Sequence, residues 1–363
     1  MTERRGTVVV TGADGYVGSR VAARLVDQGR RVVMVVRDPD VRPQVTSPLA
    51  CRGARLHVAD ISTIGGLDGL DTTEVTEVVH AAAVTRFNVD YATARAVNVE
   101  GTRTVLRWAD RCSGLDAVAL VSTIYASGLR GGPVPEALGD DRAGFANHYE
   151  RSKWEAEQIA ATEFAHLPIQ ALRLATVIAD DAGGTVTQRN AFHTTLRLVY
   201  YGLLSLLPGG PATPVHLVSG RYASDAIVAL LRDGSARGTY HLTSAPEATL
   251  SLSDVLDAAW SRFAEEPDFA RRRVLRPLFA DADSFAVLAR ETESFGGSVV
   301  AQAMATMSPF ARQLYVHKQV MVERARSVLG RHGVEEDDVS ALLRNAIDHL
   351  VTTRWGRADG RAA

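Results

Sequence analysis

Length, composition and charge place the chain among ordinary globular proteins. Its 363 residues exceed the ~250–300 residues at which one hydrophobic core stops growing, so we expect one large core with a smaller lobe. A hydrophobic fraction of 46%, a charged fraction of 23% and a net charge of −2 exclude a disordered or fibrous chain and give no reason to expect nucleic acid as a partner.

The first two hundred residues alternate short β-branched runs with helical patterns, which is typical of a parallel sheet covered on both faces. The sequence therefore predicts an α/β fold with a doubly wound, Rossmann-type sheet. The predicted strands are 7–10, 31–36, 56–58, 77–80, 118–122, 169–174 and 239–242. The predicted helices between them are 18–28, about 91–111, 149–164 and 223–231.

The alternation weakens after Gly183-Gly184, where we expect elements of a substrate lobe. Residues 1–250 are predicted to form the cofactor-binding domain, residues 251–355 a mostly helical C-terminal lobe, and residues 356–363 a frayed tail. Val339, Leu342, Leu343 and Ala346 keep to one side of a 3.6-residue period, which predicts a packed helix near the C-terminus.

Three features of the sequence bear on where in the cell the protein is found. The apolar run from Val8 meets Gly12 after four residues, too few for the core of a signal peptide. The apolar segment 198–207 is well short of the ~20 residues that a membrane span needs. It has two interpretations: burial within the substrate lobe, or an apolar lip for an acyl chain. Cys51 and Cys112 form no disulfide framework and have no metal-ligand spacing, which fits the cytoplasm.

A glycine loop follows the first predicted strand. Gly12, Gly15 and Gly18 recur at three-residue intervals before a helix, an arrangement in which bare backbone approaches a pyrophosphate at a positive helix end. We expect Tyr16 and Val17 to take part in the same site. The alternative is a tight strand-to-helix turn without a ligand.

The end of the second predicted strand bears on the choice of cofactor. Arg37 stands where an acidic residue would bind a ribose 2′-hydroxyl, and a guanidinium favours a 2′-phosphate, so NADPH is expected over NADH. Asp38 beside it leaves NADH open, although Asp38 can equally be a turn residue before Pro39.

Tyr149 and Lys153 stand four residues apart in a predicted helix, which places a phenol and an ammonium on one face. The cation can stabilise phenolate, so we expect it to lower the pKa of Tyr149 toward working pH. Thr123, at the end of a predicted strand, supplies a hydroxyl that can bind a carbonyl oxygen. Ser122 competes with it, because strand alternation allows only one of the two to face the cofactor. His80 is interpreted as a packed strand-end residue.

These residues in this order resemble the extended branch of the short-chain dehydrogenase/reductase superfamily, over about residues 7–244. The resemblance implies that Tyr149 is the proton donor, that Lys153 holds the nicotinamide ribose, and that Thr123, matched by its distance to Gly128, binds the carbonyl. Asn98, in Asn98-Val99-Glu100-Gly101-Thr102, would support a water-mediated proton path to the lysine. The family's cofactor contacts are matched by Asp60, Ile61, Ala81, Ala82 and Ala83. Arg173 stands where the family carries an arginine, and Ala179 replaces a usual glycine.

Within that superfamily, the sequence most resembles the thioester reductase and fatty acyl-CoA reductase group. The resemblance lies in runs such as His80-Ala81-Ala82-Ala83-Val84-Thr85-Arg86-Phe87. This resemblance implies an NADPH-dependent reductase of an acyl thioester on CoA or a carrier protein. The reaction can stop at the aldehyde after one hydride transfer or continue to the alcohol after a second, and the sequence leaves both outcomes open. Two alternatives stay open: a reductase or epimerase of a ketone, sterol-like alcohol or nucleotide sugar, and a non-catalytic NADPH-binding sensor. Family members often pair through helices that flank the sheet, which leaves a homodimer open.

Overall fold

The computed structural model describes residues 6–234, 237–293 and 299–355. Fifteen strands lie within these ranges. They are β1 (Thr7–Thr11), β2 (Arg31–Val36), β3 (Arg55–Val58), β4 (Val75–His80), β5 (Ala117–Thr123), β6 (Gly132–Val134), β7 (Ile169–Leu174), β8 (Thr176–Ala179), β9 (Leu206–Pro208), β10 (Pro214–Val215), β11 (Leu217–Ser219), β12 (Gly238–Leu242), β13 (Leu250–Ser251), β14 (Leu278–Ala280) and β15 (Lys318–Val320).

Thirteen α-helices connect and cover these strands in the described part of the chain. They are α1 (Tyr16–Asp27), α2 (Pro43–Cys51), α3 (Tyr91–Ala94), α4 (Gly101–Ala109), α5 (His148–Thr162), α6 (Ala191–Tyr200), α7 (Gly220–Arg232), α8 (Leu252–Ala264), α9 (Pro267–Arg272), α10 (Ala282–Glu293), α11 (Val299–Ala311), α12 (Glu323–Arg331) and α13 (Val339–Thr352). None of the described helices is long and apolar enough to cross a membrane.

Seven parallel strands form the central sheet in the order β12-β7-β5-β4-β1-β2-β3. The order reverses direction at β1, which pairs with β2 on one side and β4 on the other. In a sheet of this kind, ligands bind at the carboxyl ends of the strands where the order reverses. The predicted doubly wound fold is confirmed, and the predicted seven strands are the seven of this sheet.

The two faces of the sheet carry separate hydrophobic cores. Alternation along β1 sends Val8 and Val10 to the side covered by α1, α7 and α12, and Val9 to the side covered by α4 and α5. A third large core lies outside the sheet and combines α6, α8 and α13 with residues of α11. The inner strands β1, β2, β4 and β5 are therefore buried on both faces, which explains why they are largely apolar, whereas the edge strand β3 is mostly exposed.

The apolar segment 198–207 belongs to that third core. Leu204 and Leu207 are buried there, together with Tyr200 at the end of α6. The interpretation of this segment as packing within the lobe is confirmed, whereas the lip for an acyl chain is not what the packing shows.

The C-terminal part of the chain contacts the sheet domain directly. Strand β15 pairs with β6, and α12 packs on α7 and β12. The division into residues 1–250 and 251–355 stays a prediction, and the tail predicted for 356–363 lies outside the described residues.

Two local elements differ from the sequence prediction. The helix expected over 91–111 is interrupted, because residues Arg95–Glu100 form a π-helical segment between α3 and α4. Helix α2 was not predicted. It begins with Pro43, at the position where the missing N–H has no cost, and it contains Pro48 in its interior, where one backbone hydrogen bond of the helix is lost.

The helix α5 turns a polar face toward the sheet. Glu157 on this helix is 1% exposed and forms an ion pair with the equally buried Arg173 of β7 at 2.7 Å. Ser122 of β5 donates to the same carboxylate at 2.5 Å. Because a buried charge is stable only when it is paired and hydrogen-bonded, this contact fixes α5 against β5 and β7.

The variant Arg173→Met leaves the Glu157 carboxylate buried without its cation. Removing one partner of a buried pair costs about 3–5 kcal/mol, so we expect the free energy of unfolding, measured by urea denaturation, to fall by about that amount. The control is Arg111→Met, since the Arg111–Asp68 pair has side chains 51% and 64% exposed and should contribute less than about 1 kcal/mol. Equal losses in both variants would contradict the role given to the buried pair.

Candidate active site

The glycine loop forms a close turn between β1 and α1. Gly12 has a φ of +64°, and a Cβ there would lie 2.6 Å from the Cα of Ala82. A Cβ on Gly18 would lie 2.2 Å from the Gly12 carbonyl oxygen. Gly15 is the N-cap of α1 and has no side chain to cap the helix, so the N–H groups at Tyr16 and Val17 are open to an anion. The missing side chains let the turn close tightly against Ala82 and against itself, and the open helix end can accept a pyrophosphate.

The residues after β4 complete the wall of this turn. The Ala81 N–H donates to the Thr11 carbonyl at 3.2 Å, and the Ala82 N–H to the Thr11 hydroxyl at 3.3 Å. Ala83 follows them, half-buried. Ile61 is buried against Gly101, where a Cβ would come within 3.0 Å of its side chain. These predicted cofactor residues surround the point where the strand order reverses.

Charged groups lie beyond β2 and β3. Arg37 and Asp60 are both exposed. The Ser62 hydroxyl, which donates to Asp60 at 2.6 Å, does most to lower the pKa of that carboxyl, and Arg37 lowers it further. The sequence analysis missed Arg42, whose Nη1 donates to the carbonyl oxygen of Asp14 in the glycine loop at 3.3 Å. Two guanidinium groups, not one, therefore flank this end of the site.

Asp38 acts as a turn residue. Its carboxylate accepts from the Asp40 N–H at 2.9 Å, which is the local contact typical of Asp in a turn. Of the two interpretations that the sequence allowed for Asp38, this contact supports the turn residue.

Thr123 and Tyr149 come together at the carboxyl end of β5. Thr123 is the last residue of that strand, and Tyr149 lies in the first turn of α5. The two residues are 5% and 9% exposed, and the Thr123 hydroxyl is close enough to the Tyr149 hydroxyl to lower its pKa. Ser122 points instead to Glu157. The geometry thus brings together the pair that the sequence analysis chose.

Lys153 lies one turn further along α5. Its Nζ donates to the Val121 carbonyl at 2.7 Å, and burial lowers its pKa to about 8, opposed by Glu157. The expected lowering of the pKa of Tyr149 by Lys153 is not found. Burial raises the pKa of Tyr149, while the hydrogen bond with Thr123 works in the opposite direction. Desolvation of the phenolate outweighs the favourable contacts.

Asn98 lies in the π-helical segment and anchors α5 from one side. Its Nδ2 donates to the Ser152 hydroxyl at 2.8 Å and to the Val84 carbonyl at 2.9 Å, and its Oδ1 accepts from the Val84 N–H at 2.8 Å. The amide thus ties α5 to the loop after β4. The support of a proton path stays a prediction.

An aromatic wall borders Tyr149. The ring of Phe87 lies 5.8 Å from Tyr149, 6.1 Å from Tyr125 and 5.5 Å from Phe310. Phe87 belongs to the loop after β4, whereas Phe310 belongs to α11. Sequence reasoning missed this wall because its members are far apart in the chain; the only signal was Phe87 at the end of the run that resembles the family.

The histidines near the sheet are packed and neutral. His80 Nδ1 lies 2.7 Å from the Thr11 hydroxyl and Nε2 lies 3.1 Å from the Thr102 hydroxyl. Burial lowers the pKa of His80 to about 3, with Lys153 adding to the effect. The interpretation of His80 as a packed residue is confirmed. His193 and His241 are also held by backbone carbonyls, of Ile178 and Met321.

Comparison with known proteins adds family information. Residues 68–227 match the model of the male sterility protein family. The isonitrile lipopeptide synthase of Streptomyces coeruleorubidus is 30% identical over 213 residues, which cover 52% of this chain and 14% of that protein. The chain therefore spans about one seventh of the length of this relative.

Solved structures share the fold. The terminal R domain from the myxalamid PKS-NRPS biosynthetic pathway has a TM-score of 0.76 at 21% identity, covering 98% of this chain and 92% of that one. A thiolation-reductase di-domain from an archaeal non-ribosomal peptide synthetase has a TM-score of 0.69 at 17% identity, covering 97% and 76%. A UDP-galactose 4-epimerase has the same fold at a TM-score of 0.64 and 18% identity, covering 96% and 100%.

The family match covers the segment between Asp68 and Ile227, which holds Asn98, Thr123, Tyr149 and Lys153. The glycine loop lies before it, in the part that the solved structures cover. Residues 68–227 are thus similar to the male sterility protein family, and the described part of the chain has the fold of the solved R domain and of the epimerase.

Proposed function

We propose that the chain is an NADPH-dependent reductase of an acyl thioester, carried on CoA or on a carrier protein, and that it releases an aldehyde and a free thiol. The observation that carries the proposal is the buried Thr123–Tyr149 hydroxyl pair beneath an aromatic wall. The resemblance to reductase domains of peptide and polyketide synthases supports the carrier-bound substrate.

The chemistry follows from where charge develops. NADPH, when bound, supplies the hydride to the carbonyl carbon. The thioester oxygen then gains negative charge, which Thr123 stabilises by a hydrogen bond while Tyr149 donates a proton. The resulting hemithioacetal breaks its carbon–sulfur bond, the thiol leaves with the hydroxyl proton, and an aldehyde remains. The same two hydroxyls can serve a second hydride transfer, which would give the alcohol.

The wall of Phe87, Tyr125 and Phe310 bears on the choice of substrate. Aromatic rings beside the acid favour an apolar acyl group over a nucleotide sugar, whose hydroxyls need hydrogen-bonding partners. A ketone or sterol-like alcohol would also suit such a wall, so reduction of a ketone is the second candidate. The third candidate is a non-catalytic sensor. Such a protein would not need a buried proton donor, so the presence of Tyr149 argues against it.

A substrate panel tests the thioester proposal. NADPH oxidation would be followed with a long-chain acyl-CoA, an acyl-pantetheine and a ketone of similar length, with the aldehyde and the alcohol quantified. We expect turnover of the thioesters and formation of aldehyde, with alcohol as the mark of a second reduction. Turnover of the ketone alone would contradict the proposal, and tight NADPH binding without any turnover would favour the sensor.

The same assay tests the acid. Tyr149→Phe should lower kcat by about 10²–10⁴-fold, the size of a general-acid contribution, while the Kd of NADPH changes little. The control is Tyr240→Phe, since Tyr240 is buried in β12 and its hydroxyl makes two long hydrogen bonds, donating to the Arg237 carbonyl at 3.4 Å and accepting from Arg324 Nη2 at 3.5 Å. An unchanged kcat in Tyr149→Phe would show that another group is the acid.

The cofactor preference rests on Arg37 and Arg42. Both are near the end of the site where a 2′-phosphate would lie, and Asp38 is engaged in its own turn. A guanidinium binds a phosphate through charge-assisted hydrogen bonds, which a ribose hydroxyl cannot match. NADPH is therefore proposed over NADH.

Arg37→Gln tests that preference. Loss of a hydrogen bond to a charged group costs about 1.5–3 kcal/mol, so the Kd of NADPH should rise by roughly 10- to 150-fold with little change for NADH. The control is Arg31→Gln, because Arg31 is an exposed arginine at the opposite end of the same strand. Equal weakening of NADPH and NADH binding would argue against contact with the 2′-phosphate.

Three further expectations from the sequence stay predictions. The cytoplasmic location and the division into two domains follow from composition and pattern, and the homodimer follows from the resemblance. We infer that the helices flanking the sheet would form the dimer contact, which sedimentation of the purified chain would test.

A further inference from the structure

Glu150, next to Tyr149, is a buried carboxylate that the proposed chemistry does not use. It is fully buried and accepts from the Ala146 N–H at 2.9 Å, from Asn147 Nδ2 at 3.0 Å and from Gln313 Nε2 at 2.8 Å. Burial raises its pKa, and these hydrogen bonds oppose the rise. A side chain of the C-terminal segment thus holds the first turn of the helix that carries Tyr149.

The same glutamine holds the turn that follows Thr123. Gly128 ends the 3-10 helix after β5, and its carbonyl oxygen accepts from Gln313 Nε2 at 3.2 Å and from Lys318 Nζ. Lys318 also donates to the Arg130 carbonyl at 3.1 Å. Gln313 and Lys318 are 6% and 5% exposed, so these contacts are shielded from water and have few competitors.

The backbone around Gly128 is held in one tightly packed conformation. Gly128 has a φ of +63°, and a Cβ there would lie 2.3 Å from the carbonyl oxygen of Gly144. The Leu129 N–H donates to that same oxygen at 2.9 Å. The Asn147 side chain also reaches the C-terminal segment, donating to the Pro309 carbonyl at 3.0 Å. The turn after Thr123 and the start of α5 are therefore packed together and joined by one segment, residues 309–318.

We propose that Gln313 and Lys318 are positioning residues that set the place of the Tyr149 hydroxyl relative to Thr123. The inference rests on the proposed function, in that it takes Tyr149 as the proton donor. Asn98 holds α5 from the other side through Ser152, so loss of the Gln313 contacts frees one side of the helix while the other stays tied. A displacement of about 1 Å at a reacting group can cost about 10²-fold in rate.

Gln313→Ala tests the proposal, with Gln170→Ala as its matched control. Both glutamines are buried, both have an Oε1 without a hydrogen-bond partner, and both donate Nε2 to a backbone carbonyl. Gln170, in β7, donates to the Leu230 carbonyl at 2.9 Å, away from α5 and the Gly128 turn. We expect the two variants to lose similar free energies of unfolding. A difference in kcat between them would then reflect where each glutamine lies relative to α5.

We expect kcat of Gln313→Ala to fall by about 10- to 100-fold, with the Kd of NADPH unchanged and a larger solvent isotope effect on kcat. Lys318→Met should act in the same direction, and Gln170→Ala should keep kcat within about twofold. Equal losses of kcat in both glutamine variants would mean a general loss of stability and would overturn the proposal. So would an unchanged kcat in Gln313→Ala.

A second measurement does not depend on turnover. Hydrogen exchange of the backbone amides in residues 147–153 should become faster in Gln313→Ala and stay unchanged in Gln170→Ala. Unchanged exchange in Gln313→Ala would overturn the positioning role. If the wild-type chain reduces no carbonyl but the exchange differs as expected, the proposed function fails while the mechanical link between the C-terminal segment and α5 stands.

Discussion

The burial of charged side chains on α5 is the constraint on which the rest of the site depends. Glu150, Lys153 and Glu157 lie on the face of this helix that packs into the protein. A buried charge without a partner is costly, so each one requires a partner from elsewhere. Arg173 serves Glu157, the Val121 carbonyl serves Lys153, and Gln313 serves Glu150. The position of the Tyr149 hydroxyl follows from these pairings.

The partners of these charged side chains come from two parts of the chain, the central sheet and the C-terminal segment. The sheet provides the partners of Lys153 and Glu157, so the inner part of α5 is fixed by the Rossmann core. At the start of the helix, Glu150 is bound by the neighbouring Ala146 and Asn147 and, from far along the chain, by Gln313 of the C-terminal segment. The same segment brings Phe310 to the aromatic wall. The proposed cofactor side of the site is thus built by local turns, and the proposed substrate side by long-range packing.

The sequence predicted well what local patterns determine. All seven strands of the sheet and the glycine turn followed from periodicity and spacing, because each depends on residues close in the chain. The choice of Thr123 over Ser122 came from the resemblance to the family. Gln313 and Phe310 were not predicted, since neither has a motif and both act through contacts across more than a hundred residues. The direction of the pKa of Tyr149 was wrong for the same reason: spacing reveals a nearby ammonium, whereas the extent of burial is a property of the whole fold.

The parallel pairing of β15 with β6 has a consequence for handling this protein as a module. The hydrogen bonds of β6 are made with residues that follow it by more than 180 positions, and Lys318 at the start of β15 seals the turn beside it. A fragment that ends before β15 would leave the edge of β6 unpaired, which favours aggregation, and would take from Glu150 its hydrogen bond with Gln313. A fragment intended to fold as a unit therefore has to extend through at least β15.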